Sequence, residues 1–406
     1  MKQLYRTSLW SVLLSLTAVG LQAQEEPAAN YRRSSLYSVL VNHDDQKFGE
    51  EIKTAFLAMP VPDKYNDHDL SVKVVTIQDK IKKDDQFLIN DFLTGNQVAG
   101  RLVARWFNRD PFTGQCDMEL VKERGLYNAS EFDKAIAAQT QRGQAMLADA
   151  GEELIGNTFV LVNDIRYIDR GKGSKALGSI LRIGGMLAGA MTGNSDFTDL
   201  GDNLGSLTES YKGFKVKINT YLYRLAWNQE AANSFYTAQY SAVPDQTKHA
   251  NFMEARGGYQ LNYVGKQESS GSNVSFIGIN EDEPLLMVRK ACQRALDENV
   301  TSLQKEFEFF KTKSPLVSVS PLTAYVGKKE GVTDQSRFEV LEQQEDEQGR
   351  RSYKRVGIIK PVASRIWDNR YMALEEGAEG ANLGFTTFKK VSGGDFLPGM
   401  LIRELK

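Results

Sequence analysis

Cysteine and histidine are scarce in this 406-residue sequence, which contains two cysteines and three histidines. Cys116 and Cys292 lie too far apart in the sequence to form a CxxC redox pair or a close-spaced zinc knuckle. Two alternatives remain open for these cysteines: they form one long-range disulfide, or they are two separately buried thiols. We expect hydrophobic cores, rather than cysteine cross-links, to hold the chain together.

Short motifs that mark common enzyme classes are absent as well. The sequence contains no G-x-S-x-G elbow, Walker phosphate loop, G-x-G-x-x-G, H-E-x-x-H or EF-hand loop. The classes that depend on these motifs are therefore excluded, and no cofactor is expected. Paired carboxylates for glycoside hydrolysis need no fixed spacing, so a hydrolase of that kind stays open.

Long hydrophobic runs are rare, and the first one occupies residues 9–19. It is too short to cross a bilayer comfortably, but it has the length of a signal-peptide core and precedes Leu21-Gln22-Ala23. We expect residues 1–23 to be a cleaved signal peptide and the mature protein, starting at Gln24, to be exported to the periplasm, the outer membrane or the outside of the cell. An uncleaved N-terminal membrane anchor is the alternative. No cysteine follows the cleavage site, so a lipoprotein anchor has no acceptor.

The sequence has no strong excess of charge of either sign. It contains 50 Lys and Arg against 52 Asp and Glu. Cleavage after Ala23 removes Lys2 and Arg6, which leaves a mature net charge of about −4. A nearly balanced surface argues against nucleic acid as a partner.

Length and pattern predict an exported multidomain α+β protein. Its predicted parts are a flexible leader at 24–33, a mixed α/β sandwich body at 34–283 with a glycine-rich apolar insertion at 171–212, a long connector helix at 284–313, and a small all-β, barrel-like module at 314–406.

The body alternates predicted strands and helices. Residues 158–167 form a continuous apolar run, and residues 214–227 alternate with period two, so we expect the two strands to pair. Spacing of apolar residues by three and four positions predicts helices. The other predicted elements are strands at 35–41 and 70–77 and helices at 48–59, 91–108 and 130–154. Residues 269–273 are expected to form a loop.

The C-terminal part begins with a helix signal at Pro284, which suits the first helical position and follows three acidic residues. Glycines then separate short strands, as in an SH3-like or OB-like barrel, a kind of module that usually binds rather than catalyses. The predicted strands lie at 317–326, 337–341, 353–360, 384–391 and 400–405. Trp367 and Asn369 are candidate binding residues in this module.

Residues 176–193 combine low charge with five glycines, of which Gly185, Gly189 and Gly193 are spaced by four. In a helix this spacing forms a flat face of small residues, which allows close backbone contact. So much glycine disfavours an isolated helix in water, so the segment needs a partner surface. A buried insertion, a self-association helix and a membrane-contacting hairpin are the three alternatives.

Two histidines are flanked by carboxylates near predicted strand ends. His43 precedes Asp45, and His68 follows Asp67. Imidazole and carboxylate groups are common metal ligands, so these four residues form a candidate metal site at one edge of the sheet. The alternative is that they are solvated turn residues.

Two hypotheses for function follow from these patterns. The first is a non-catalytic, exported cell-envelope protein that binds a protein or polymer partner, with residues 176–193 serving assembly or membrane contact. The second is a secreted or periplasmic hydrolase with carboxylate-based catalysis that no motif marks.

Overall fold

The computed structural model describes residues 34–43, 46–77, 85–128, 151–152, 154–168, 214–272, 284–345 and 351–405. It contains helices and two sheets and is an α+β protein. The described helices are α1 Gly49–Leu57, α2 Asp85–Gly95, α3 Val98–Trp106, α4 Glu119–Asn128, α5 Gln229–Ala238, α6 Gln246–Ala255 and α7 Pro284–Glu306. None of these helices is both long enough and apolar enough to cross a membrane.

The first sheet has the strand order β2-β1-β4-β5-β6, with β3 paired to β1. Strand β1 is parallel to β2, β3 and β4, whereas β5 is antiparallel to both β4 and β6. The predicted pairing of 158–167 with 214–227 is confirmed as β4 with β5. The strands are β1 Ser35–Asn42, β2 Asn66–Asp67, β3 Val74–Thr76, β4 Thr158–Tyr167, β5 Lys215–Leu225 and β6 Leu261–Ser272.

Helices cover both faces of this sheet because side chains alternate between its faces. On one face, Leu40 and Val216 pack with Ile52 of α1 and Val288 of α7. On the opposite face, strand residues pack with residues of α2 and α3. Cys292 belongs to the first of these cores and Cys116 to a third, aromatic core, and both thiols are buried and free.

Several expected boundaries are wrong for local reasons. The helix expected at 91–108 is two helices, because the backbone turns into the left-handed region at Gln97, where φ is 52°. The loop expected at 269–273 instead continues β6 to Ser272. Helices α5 and α6 were not predicted. Most of the helix expected at 130–154 lies outside the described residues.

The second sheet is a closed barrel with the strand order β10-β11-β8-β7-β12-β9. Val340, Ile359 and Phe388 belong to its core. The single strand expected at 317–326 is wrong, because the chain turns at Ser320–Pro321 and forms a hairpin. The strands are β7 Ser314–Val319, β8 Leu322–Ala324, β9 Phe338–Glu345, β10 Arg351–Pro361, β11 Thr386–Gly393 and β12 Leu401–Glu404.

Helix α7 packs on the first sheet and also contacts turns that connect the strands of the barrel. Towards β5, the Asn299 amide donates to Thr220 Oγ1 at 2.9 Å. Towards the barrel, Arg294 Nη2 donates to Glu376 Oε2 at 2.7 Å, and Thr301 Oγ1 donates to the Lys329 carbonyl oxygen at 3.1 Å. The contacts with the first sheet include a continuous apolar core, whereas these contacts with the barrel are polar.

Candidate functional site

A cleft of about 690 Å³ lies between the C-terminal half of α7 and one end of the barrel. Buried apolar residues of the barrel, Val326, Phe338 and Ile402, form part of its lining. Its remaining lining is mostly polar, and includes Thr301, Gln304, Lys305, Lys311, Thr312, Thr333, Gln335, Ser336, Arg337 and Glu404. An apolar surface with several polar groups converging around it is the usual composition of a binding cleft.

Hydrogen bonds fix the polar groups of the cleft. Glu404 Oε1 accepts a hydrogen bond from Ser336 Oγ at 2.7 Å. Ser336 Oγ in turn accepts from the Thr333 amide at 3.1 Å. Lys305 Nζ lies 3.9 Å from Glu404 Oε2 and donates to the Gly331 carbonyl oxygen at 3.3 Å. The cleft is therefore organised before any partner arrives, which lowers the entropic cost of binding.

A tight turn at residues 327–331 contributes Glu330 to the wall of the cleft. Glu330 Oε2 accepts from the Gly327 amide at 2.7 Å and from Asn369 Nδ2 at 2.8 Å. Asn369 Oδ1 accepts from the Lys329 amide at 2.9 Å. A Cβ atom at Gly327 would lie 2.4 Å from both Asn369 Oδ1 and the Trp367 carbonyl oxygen, so this close approach requires glycine.

These contacts give the side chain of Asn369, one of the two candidate binding residues, a structural role, whereas the binding role expected of Trp367 stays a prediction. Both ends of the Asn369 side-chain amide are bonded inside the protein, so Asn369 supports the cleft wall instead of contacting a ligand. Trp367 is half-buried, and neither residue lines the cleft. The sequence alone could not identify the turn at 327–331 as the partner of Asn369, because it lies about 40 residues earlier in the chain.

Asp297 lies on α7 behind the same turn. Burial raises the pKa of the Asp297 carboxyl to about 7. The charge of Lys329 lowers this pKa, whereas the charges of Glu330 and Asp63 raise it further. Its Oδ2 atom is buried and has no hydrogen-bond partner within the described ranges. Lys329 Nζ lies 3.3 Å from Asp63 Oδ1. The junction between helix and barrel therefore contains a group that titrates near neutral pH.

A second cavity, of about 360 Å³, lies at the carboxyl ends of β1, β3 and β4. The strand register places Asp164 opposite Val41 and Thr76 opposite Asn42, and His43 directly follows β1. Strand β1 has parallel neighbours on both sides. Ligands in α/β sheets commonly bind in the crevice that such an arrangement leaves at the carboxyl ends of the strands.

The imidazole of His43 is held by a carboxylate in this second cavity. His43 Nε2 lies 2.6 Å from Asp164 Oδ1, and Asp164 is buried. Arg166 Nε donates to both oxygens of Asp164, at 3.1 and 3.2 Å. In neutral imidazole the nitrogen that donates to the carboxylate carries the proton, so Nδ1 is left as the basic nitrogen. Such a pair is suited to accepting a proton from a bound nucleophile.

Three of the four residues of the expected metal site, His43, Asp67 and His68, are not brought together. His68 follows β2, which pairs with the first residues of β1, whereas His43 follows the last residue of that strand. The two histidines are therefore offset by about six residues along β1, which corresponds to about 20 Å. Because β2 pairs with the start of β1, His68 and His43 lie at opposite ends of β1, and this excludes a metal site shared by the two histidines. Asp45 lies outside the described residues.

His68 is neither a metal ligand nor a solvated turn residue. It is fully buried, and its Nε2 donates to the Leu102 carbonyl oxygen at 3.0 Å. Arg124 Nη1 donates to His68 Nδ1 at 2.8 Å. Burial and the neighbouring Arg124 charge lower the pKa of His68 to about 3. Within the part of the chain that the structure describes, no three His, Cys, Asp or Glu side chains are grouped to hold a metal ion.

The residues expected to form a signal peptide, a leader and an insertion with Gly185, Gly189 and Gly193 lie outside the described residues. The structure therefore leaves their expected roles as predictions.

A scan against protein-family models and a search of curated proteins find no match to this chain. The two cavities and their side chains are therefore the basis for the functional proposal.

Proposed function

We propose that the protein is a non-catalytic component of a cell envelope, exported after cleavage at Ala23, that binds a protein or polymer partner in the cleft between α7 and the barrel. The observation that carries this proposal is the prearranged cleft of about 690 Å³, with apolar side chains and a bonded polar rim. Glu404, its central carboxylate, is bonded to Ser336 and faces Lys305, an arrangement that suits binding better than proton transfer.

In this proposal the C-terminal strands form a separate small all-β module that supplies one wall of the cleft. Small closed barrels commonly serve as binding modules. Residues 176–193 provide a second contact, for assembly with other copies or for membrane contact, because their glycine spacing suits close backbone approach. Nucleic acid is not a partner, since the charge of the chain is nearly balanced.

Sedimentation with envelope fractions tests this proposal. Purified mature protein is mixed separately with isolated membranes and with cell-wall polymer, and the bound fraction is measured after centrifugation. We expect binding to one fraction, reduced at least tenfold by Gln335→Trp, which fills the cleft from its exposed rim. Gln229→Trp, on the exposed start of α5, should bind like wild type. Retention of wild type in the supernatant with every fraction would reject the proposal.

The His43–Asp164 pair favours a second candidate function, a hydrolase. Asp164 would orient His43 as a general base for water or for the hydroxyl of Thr76, which lines the same cavity. Hydrolysis of defined peptides, esters and glycans by the mature protein tests this alternative. His43→Gln should then lower the rate by about 100-fold or more, while Gln335→Trp should not change it. Absence of wild-type turnover would exclude this second candidate.

A further inference from the structure

Strand β6 forms one edge of the first sheet and is long for an edge strand. It spans twelve residues and pairs with β5 on one side. No other strand in the described part of the chain pairs with its outer side. Strands in globular proteins are usually about five or six residues long, and an unpaired edge presents backbone N–H and C=O groups that can bind a further strand. The outer side of β6 is therefore a candidate interaction surface.

Helix α7 covers one face of β6, and charged side chains lie on the opposite face. On the covered face, Ser269 Oγ donates to the Ala295 carbonyl oxygen at 2.8 Å. Lys266 and Glu268 are exposed and, being two residues apart, share the other face. A lysine in the middle of an edge strand disfavours pairing with a strand that offers it no counter-charge. A matching strand must therefore place an acid opposite Lys266 and a base opposite Glu268.

A second copy of β6 supplies both charges. Antiparallel pairing about a two-fold axis through Gln267 places Lys266 of each copy opposite Glu268 of the other. An axis through Lys266 or through Glu268 would instead oppose two like charges, which is destabilising. Gln267 also lies next to the midpoint of the twelve-residue strand, so the same axis pairs most of its length. Charge complementarity and strand length thus select one register.

Contacts with β5 already restrict the two charged side chains. Lys266 Nζ lies 5.5 Å from the centre of the Tyr221 ring, and Glu268 Oε2 lies 2.9 Å from Lys217 Nζ. Glu268 can still face a second cation, because a carboxylate has two acceptor oxygens. The bulge in the pairing of β5 with β6 falls at Val264, outside the centre of the register. Side chains that are already restricted lose less entropy when a second copy binds.

We propose that the protein forms a two-fold symmetric dimer by antiparallel pairing of β6 with β6 of a second copy, which extends the first sheet across both chains. Dimers of this symmetry, in which the same surface of each copy pairs with itself, are the commonest symmetric assemblies of soluble proteins. No residue of β6 lines the cleft between α7 and the barrel. The dimer is therefore independent of the proposed binding function.

Exchange of the two charges tests the register. The dissociation constant of the dimer is measured by sedimentation velocity of the mature chain. Lys266→Glu opposes acid to acid twice, and Glu268→Lys opposes base to base twice, so each variant alone should weaken the dimer at least tenfold. An equimolar mixture of the two variants should restore the dimer to within threefold of wild type, because every opposed pair in the heterodimer has opposite charges. Lys217→Gln, the control, removes the partner of Glu268 within the chain and should change the dissociation constant less than threefold.

Cross-linking at the axis tests the same register covalently. Residues directly opposite in an antiparallel pair have Cα atoms about 4.5 to 5.5 Å apart, which a disulfide can bridge. Gln267→Cys places its thiol opposite its own copy and should give a covalent dimer on a non-reducing gel after mild oxidation. Ser270→Cys, the matched control, lies about 20 Å from its copy in this register and should stay monomeric on the gel. The native thiols, Cys116 and Cys292, are buried.

Four results would overturn the proposal. A wild-type chain that remains monomeric up to 100 µM, a concentration of about the order that weak dimers need, would show that no second copy binds the edge. A dimer that neither charge variant weakens would place the interface elsewhere. A mixture of the variants that stays monomeric, or equal cross-linking of Gln267→Cys and Ser270→Cys, would exclude the register.

Discussion

Burial determines the charge of His68, whose imidazole lies between the Leu102 carbonyl and the Arg124 guanidinium. Both contacts suit neutral imidazole, with Nε2 as donor and Nδ1 as acceptor. Protonation would place a second positive charge beside Arg124, away from water. The residue therefore contributes to the fold through its neutral form.

Acid should destabilise the protein through His68. Its pKa is about 3 in the folded state and 6.5 ordinarily, so between these values the unfolded chain binds a proton that the folded protein lacks. The free energy of unfolding then falls as the pH falls. Between pH 7 and pH 5, wild type should lose about 2 kcal/mol more than His68→Gln, measured by urea denaturation. Equal losses in both proteins would contradict a buried, neutral His68.

Asp297 should have the opposite pH dependence. Its pKa is raised from 3.8 to about 7, so between these values the folded protein holds a proton that the unfolded chain has lost. The free energy of unfolding therefore falls as the pH rises. From pH 5 to pH 8, Asp297→Asn should gain about 1 to 3 kcal/mol relative to wild type. A pH-independent difference between the two proteins, in the same urea assay, would show that the carboxyl is charged throughout.

Sequence patterns located His43 at a strand end but not its partner. Asp164 lies 121 positions away, inside a strand whose apolar composition gave no sign of a functional carboxylate. The cleft was not predicted at all, because its residues come from a helix, a turn and three strands that meet only in the folded chain. Local sequence indicates elements, whereas a cavity depends on contacts between them.

At the scale of elements, strong periodicity of apolar side chains was sufficient to predict a strand or a helix. Strands β4 and β5 were predicted close to their observed limits because apolar side chains recur along their whole length. Helix α7 begins at Pro284 as predicted, but it ends at Glu306 rather than at residue 313. Elements without that signal were missed or misplaced. Strand β6 is mostly exposed and polar, and the turn that separates β7 from β8 interrupts an apolar run.

The segment 176–193 should act as a contact element rather than as part of the folding core. Gly189→Leu would separate closely packed backbones, while a surface substitution usually costs less than about 0.5 kcal/mol. We expect a melting temperature within a few degrees of wild type, together with a changed oligomer size or membrane partition, measured by light scattering and flotation. Ser269→Ala, in β6, is a matched control for stability, because it removes a buried hydrogen bond to the Ala295 carbonyl oxygen. If Gly189→Leu unfolds the protein and leaves its assembly unchanged, the segment belongs to the interior.

At the scale of the whole molecule, the barrel has its own core and no free sheet edge. Its contacts with the rest of the chain include polar pairs, such as Arg294 with Glu376 and Lys64 with the Tyr325 carbonyl oxygen. We therefore expect a fragment of residues 314–406 to unfold in one cooperative transition, with coincident curves from fluorescence and circular dichroism. Broad, collapsed amide signals in its NMR spectrum would show that the barrel needs the body to fold.

The central claim is that the cleft between α7 and the barrel is the binding site, and hydrogen exchange of the bound protein tests it most directly. The mature chain is loaded with the envelope fraction that sediments it, and amide exchange is compared with that of the free chain. We predict slower exchange at residues 301–305, 311–314 and 333–338, with no change at 41–43 and 164–166. Protection confined to the cavity of His43 and Asp164, or protection at neither site, would contradict the claim.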